Sequence, residues 1–120
     1  MDKRDHDFLS RLLSTFEVEA REHIHTISSG LIALERTTAA DQQLGIIETI
    51  FREAHSLKGA ARAVNLAEIE ALCQALESVF AALKGQEIAL SSELFDALHH
   101  AANNLSTLLM AMEEQGNRIS

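Results

Sequence analysis

The chain has 120 residues, 47% of them hydrophobic, with no proline, Trp or Tyr and only 5 glycines. That is the length of one domain, with enough apolar residues for a core and few turn formers, so long helices are the favoured fold. The formal net charge of -8 argues against nucleic acid and anionic membrane surfaces as partners, since both need a basic face.

The single Cys73 rules out an internal disulfide framework. With the charged start Met1-Asp2-Lys3-Arg4-Asp5, it gives the expectation of a reducing, cytoplasmic setting. No apolar run approaches membrane-spanning length.

A first helix is predicted from about 5 to 36. Leu9, Leu12, Leu13, Phe16, Ala20, Ile24, Ile27, Leu31 and Leu34 fall on one stripe at helical spacing. His23 lies near the middle of that stripe and reads as a packed core residue. Gly30 is internal and costs about 1 kcal/mol relative to Ala. Thr37 to Ala40 form the first break.

The second helix, about 42–63, starts at Asp41 as N-cap and buries Leu44, Ile47, Ile50, Phe51, Ala54, Leu57 and Ala61. Asn65 either takes the left-handed conformation of a turn or caps the next helix, with Glu68 at the capping-box position. The third helix, about 66–84, carries Leu66, Ile69, Leu72, Cys73, Leu76, Phe80 and Leu83 and stops at Gly85. The fourth, about 91–115, starts at Ser91-Ser92-Glu93. It carries Leu94, Leu98, Ala101, Leu105, Leu108, Leu109 and Met112 and ends before Gly116, leaving 117–120 frayed. Short loops between long amphipathic helices give an all-α, antiparallel up-down-up-down four-helix bundle. Residues 1–120 are read as a single domain, a fragment of a longer protein.

On the second helix His55 sits at the border of core and solvent. Lys58 follows one turn later, Gly59 removes a side chain at i+4, and Arg52 and Arg62 share the flank. A nucleophilic imidazole needs one free nitrogen, an acceptor on the other, and positive charge near the group it will carry. Antiparallel pairing about Val64 sets His55 opposite Cys73. Glu70 and Glu77 both flank the third helix's stripe on one side, and either could be the acceptor; Gln74 lies between them.

The run Ala54-His55-Ser56-Leu57-Lys58-Gly59-Ala60-Ala61 closely resembles the histidine phosphotransfer (HPt) motif. Leu66, Ile69 and Leu72-Cys73-Gln74-Ala75-Leu76-Glu77 match the next helix of that family. Phe16, Glu19-Ala20, Glu22-His23, Leu31 and Leu34-Glu35 match its first. The whole looks most like the amino-terminal domain of CheA-type chemotaxis histidine kinases.

The resemblance implies that His55 is the phosphoacceptor, Glu77 the residue that orients its ring, Lys58 the cation that steadies the phosphoryl group, and Gly59 the opening for partners. Gln74 and Arg62 complete the binding surroundings. It further implies a histidine kinase catalytic domain as donor, response regulators of the CheY or CheB type as acceptors, and a monomeric isolated domain. ATP and Mg2+ come from those partners, with no cofactor or metal held here. The parent chain is then a histidine kinase. Asn65 departs from the glycine common in relatives, and Gln74 from a frequent second histidine.

Three other readings compete. Six histidines invite a metal bundle, and Glu22-x-x-His25 and Asp96-x-x-His99 imitate di-iron spacing, but the wheel turns Glu22 and His25 outward. A non-catalytic helical interaction module explains the core but not the clustering of His55, Lys58, Gly59 and Glu77. A self-contained enzyme lacks a Gly-rich nucleotide loop or a Ser-His-Asp set. Cys73, on the core side, is expected to be inert.

Overall fold

The computed structural model describes residues 2–119, with side chains through residue 115. Four helices account for the regular structure: α1 (Lys3–Arg36), α2 (Ala40–Ala63), α3 (Ala67–Lys84) and α4 (Ser92–Ile119). Each packs on its neighbour in the chain, and α4 returns to α1, which closes an up-down-up-down bundle. The bundle measures 54 × 21 × 18 Å, and α1 alone, at about 1.5 Å per residue, nearly spans its long axis.

The core is apolar throughout, with no buried polar or charged residue among those described. Ile27 and Leu31 from α1, Ile50 and Leu57 from α2, Cys73 and Phe80 from α3 and Leu105 from α4 are fully buried. Each large aliphatic or aromatic side chain so buried contributes about 1.5–3 kcal/mol. A solvent-screened pair such as Arg52–Glu48 on one helix face adds far less. Packing therefore holds the bundle, and the ion pairs across its seams serve geometry.

Several expectations about the stripes are corrected. Leu9 and Leu12 are exposed and Leu13 is half-buried. The α1–α2 register seen at Gly30 and Ile50, with α2 ending at Ala63, leaves the first turns of α1 without a helix beside them. Leu44 is also exposed, in an open groove at the far end of the bundle with Leu83, Ile88 and Leu90. Phe95 and Ala102 are buried in α4 although the stripe omitted them. His23 is half-buried and bonded through Nδ1 to Glu53 of α2, not enclosed in the core.

Gly30 has a steric role. A Cβ there would lie 2.8 Å from Cγ1 of the fully buried Ile50, so the glycine permits the close approach of α1 and α2.

Both ends of α3 differ in detail from the reading of the sequence. Asn65 adopts φ 62° as the C′ residue of α2: its N–H donates to Arg62 O, and the Leu66 N–H donates to Ala61 O at 2.9 Å. That is a Schellman motif, so Asn65 ends α2 and does not cap α3. The N-cap of α3 is Leu66, and that of α2 is Ala39 with Asp41 inside the first turn; neither cap has a side-chain hydrogen bond. At the other end of α3 the same motif recurs one residue past the glycine. Gly85 keeps φ -80°, while Gln86 takes φ 60° and donates its N–H to Leu83 O.

The fourth helix begins as expected, with Ser91 Oγ accepting from Leu94 N–H at 3.1 Å. It continues through Gly116 to Ile119, so the expected fraying of 117–119 is not seen; Ser120 lies outside the described residues. No described helix is long and apolar enough to cross a membrane.

Candidate functional site

The α2–α3 seam is built on one repeating register. Arg62 faces Glu70, Lys58 faces Gln74, His55 faces Glu77 and Glu48 faces Lys84. These residues stand four, eight, eleven and eighteen positions on either side of Leu66. Steps of three, four and seven keep side chains on one helix face. The centre of symmetry is Leu66 and not Val64, because the Schellman turn lengthens the connection. His55 therefore meets Glu77 and not the level of Cys73.

At this level His55 is exposed, its side chain 64% accessible, and its Nδ1 lies 3.1 Å from Glu77 Oε1. Glu77 is largely covered, at 15%. Its second oxygen, Oε2, is shut off from solvent, and the Lys58 ammonium 2.5 Å away is the charge contact that offsets this burial. Lys58 Nζ also donates to Gln74 Oε1 at 3.1 Å, and Gln74 Nε2 donates to Ser78 Oγ at 3.1 Å.

The carboxylate thus bridges a ring and an ammonium. The Lys58 ammonium, reinforced by the hydrogen bond from His55, holds the Glu77 carboxyl below the ordinary glutamate value of 4.5 against the opposing effect of burial. An ionised Glu77 accepts the Nδ1–H of a neutral imidazole, which fixes the tautomer and leaves Nε2 with its lone pair free. Chemically, the arrangement is an open nucleophilic nitrogen whose partner nitrogen is anchored.

Gly59 stands one turn after His55 on α2, and a Cβ there would meet nothing within 4 Å. It is not a helix-packing glycine; it leaves open space at the flank of His55. Arg62 reaches only Glu70, at 4.0 Å, and Arg52 folds back onto Glu48. Neither arginine pairs with Glu77, so Lys58 is the cation that shares the ring's carboxylate. Glu70, open as an alternative acceptor on spacing alone, belongs to the level of Arg62.

Ser78 was missed by the reading of the sequence; its i+4 spacing from Gln74 was the available signal. Cys73 is fully buried beneath the seam, and burial, followed by the nearby Glu77 charge, pushes its thiol up to about 12. Glu22 and His25 are both exposed on the outer face of α1. Among the described residues no three His, Cys, Asp or Glu side chains are gathered to hold a metal.

A family model described as the Hpt domain matches residues 11–113. Chemotaxis protein CheA of Bacillus subtilis (strain 168) is 28% identical over 109 residues, covering 91% of this chain and 16% of the relative. Chemotaxis protein CheA of Cereibacter sphaeroides is 30% identical over 102 residues, covering 85% of this chain and 15% of the relative. The sensor histidine kinase CheAY of Helicobacter pylori (strain ATCC 700392 / 26695) is 26% identical, covering 92% and 13%. The chain therefore spans about a sixth or less of the length of these relatives.

Among solved structures, the CheA phosphotransferase domain from Thermotoga maritima superposes with a TM-score of 0.77 at 23% identity, over 86% of this chain and 95% of that one. The phosphorylated P1 domain of CheA3 in complex with CheY6 from R. sphaeroides gives 0.75 at 19% identity, over 92% and 82%. Likenesses at this level of identity establish the shared four-helix fold.

Proposed function

The chain belongs to the Hpt domain family, and from that premise we propose that it carries a phosphoryl group on Nε2 of His55, received from a histidine kinase catalytic domain and passed to a response regulator. The observation that carries this reading is the His55 ring, anchored at Nδ1 by Glu77 while the side chain stays 64% exposed.

In the first step the Nε2 lone pair attacks the γ-phosphorus of ATP held by the kinase domain. The N–P bond forms, and the P–O bond to ADP breaks with its electron pair. The ring becomes cationic, and Nδ1–H remains donated to Glu77, whose negative charge stabilises the imidazolium. In the second step a carboxylate oxygen of a response-regulator aspartate attacks phosphorus, and the N–P pair returns to Nε2. Lys58, already beside the ring, lowers the cost of the roughly two negative charges that the phosphoryl group brings. Positioning and electrostatics supply the catalysis.

The partners follow from the same reading. The relative crystallised with CheY6 supports a CheY-type regulator as acceptor, and a CheB-type regulator would dock on the same exposed ring. ATP and Mg2+ belong to the partner domains. The isolated domain is monomeric, works in the cytoplasm and has no kinase activity of its own; residues 1–120 are one domain of a histidine kinase. Incubation with a kinase catalytic domain and γ-labelled ATP tests the proposal. Acid-labile phosphate mapped to His55 is expected, and label on any other residue, or none, refutes it. Replacing His55 with Gln separates this function from simple docking, which would survive the change.

A further inference from the structure

The hydrogen bonds of Gln74 extend the site beyond the histidine, the lysine and the glutamate. We infer that Gln74 and Ser78 are positioning residues that hold the Lys58 ammonium beside the His55 ring while leaving its charge available to the phosphoryl group. The inference rests on His55 being the phosphoacceptor.

A lysine side chain carries about 2 kcal/mol of rotamer entropy, so a single carboxylate contact orders it weakly. Lys58 has two contacts, 2.5 Å to Glu77 Oε2 and 3.1 Å to Gln74 Oε1, and is mostly covered, at 23%. The chemical character of the second contact matters. Glu77 divides its charge between Lys58 and His55, and the amide oxygen of Gln74 is neutral. The ammonium is therefore fixed at two points without being neutralised twice. A carboxylate at 74 would cancel the cation, and a cationic side chain would repel it.

An amide presents an oxygen on one side and an NH2 on the other, and only the oxygen suits an ammonium. Ser78, one turn along α3, accepts from Gln74 Nε2 at 3.1 Å, which secures the amide with its oxygen toward Lys58. Ser78 touches neither His55 nor Glu77 among its hydrogen bonds. It acts through Gln74, and Gln74 acts through Lys58. Neither Gln74 nor Ser78 titrates, so these two anchors add no charge of their own beside Lys58.

The test uses the purified chain phosphorylated by a kinase catalytic domain, with the rate of labelling of His55 followed from about pH 6 to pH 9. Gln74→Leu is expected to slow labelling about 3- to 10-fold and Ser78→Ala about 2- to 3-fold, in line with the loss of one hydrogen bond near a charge. Ser78→Thr should restore the rate. In a Lys58→Met background, Gln74→Leu should have no further effect.

Nitrogen-15 NMR of Lys58 Nζ gives a readout separate from labelling: a resolved signal in the unaltered chain that is broadened in Gln74→Leu and Ser78→Ala. Equal Nζ signals in all three proteins, or additive effects of Gln74→Leu and Lys58→Met, overturn the inference. If the unaltered chain takes no label on His55, the phosphocarrier reading falls, and the Nζ spectra still decide whether the anchors order Lys58.

Discussion

Three histidine–glutamate pairs cross the seams of this bundle: His23–Glu53 between α1 and α2, His55–Glu77 between α2 and α3, and His99–Glu35 between α1 and α4. All three place a carboxylate on an imidazole, so the pairing itself does not define the site. Two additions distinguish the second pair. Glu77 also holds an ammonium, whereas Glu53 and Glu35 form no ion pair with a lysine or arginine among the described residues. The position four residues after the histidine is also empty at His55, where Gly59 opens to solvent. After His23 that position is the buried Ile27, and after His99 it is Asn103. On the proposed reading, a cation and a free approach are what separate the carrier imidazole from the other two.

The sharpest break between the pairs is loss of phosphate. His55→Gln should abolish labelling by a kinase catalytic domain, while His23→Gln and His99→Gln should retain it; loss of label in His23→Gln would show that the comparison is drawn in the wrong place. The next effect concerns the carboxylates. Glu77→Gln should slow labelling about 10- to 100-fold, the scale seen when a partner that orients a histidine is removed. Glu53→Gln and Glu70→Gln should leave the rate of single-turnover labelling unchanged.

Two glycines sharpen the contrast between the packed seam and the open one. Gly30→Ala gains about 1 kcal/mol of helix propensity but forces a Cβ against Ile50, an overpacking cost of about 1–3 kcal/mol. Gly59→Ala gains the propensity with no clash. Urea denaturation should place the two variants about 2 kcal/mol apart, with Gly59→Ala the more stable. The same Gly59→Ala protein should transfer phosphate to a regulator more slowly, because its methyl group occupies the approach to His55.

The pH dependence has a definite sign. Glu77 has a folded-state value below the ordinary 4.5, so its contribution to stability is fully present above that value and is lost as pH falls through the lower folded one. Removing the ammonium with Lys58→Met should bring the Glu77 titration, followed by carbon-13 NMR of its carboxyl, back toward 4.5. A titration unmoved by that substitution would dissociate Lys58 from Glu77. The smallest effect lies at the far end of α3. Gln86 carries a left-handed φ of 60°, and Gln86→Gly should stabilise the bundle by about 1 kcal/mol in thermal or urea unfolding.

The helices and the level of the site were legible because they depend on periodicity. Apolar residues three and four apart define the stripes, and the run from Ala54 to Ala61 marks His55, Lys58 and Gly59 together. What the sequence concealed depends on how elements end and how they align. No side chain announces the starts of α2 and α3, since Ala39 and Leu66 make no capping bond. Gly85 does cap α3 as expected, but the left-handed position falls one residue later, on Gln86. Leu12 and Leu44 carry the core signal but lie where no neighbouring element covers them. The choice between Glu70 and Glu77 turned on a two-residue displacement of the symmetry point from Val64 to Leu66, which spacing within one helix cannot reveal.

Every side chain assigned to the chemistry comes from two consecutive helices joined by one turn, between His55 and Ser78. The other pair, α1 and α4, supplies the packing behind that machinery and, through His23–Glu53, one polar contact to α2 away from it. The bundle therefore separates into a portable cassette and a chassis. The chassis can drift in length and surface without consequence for the reaction, whereas insertion or deletion of a single residue in the turn at 64–66 would rotate one half of the cassette against the other and dismantle all its pairings at once.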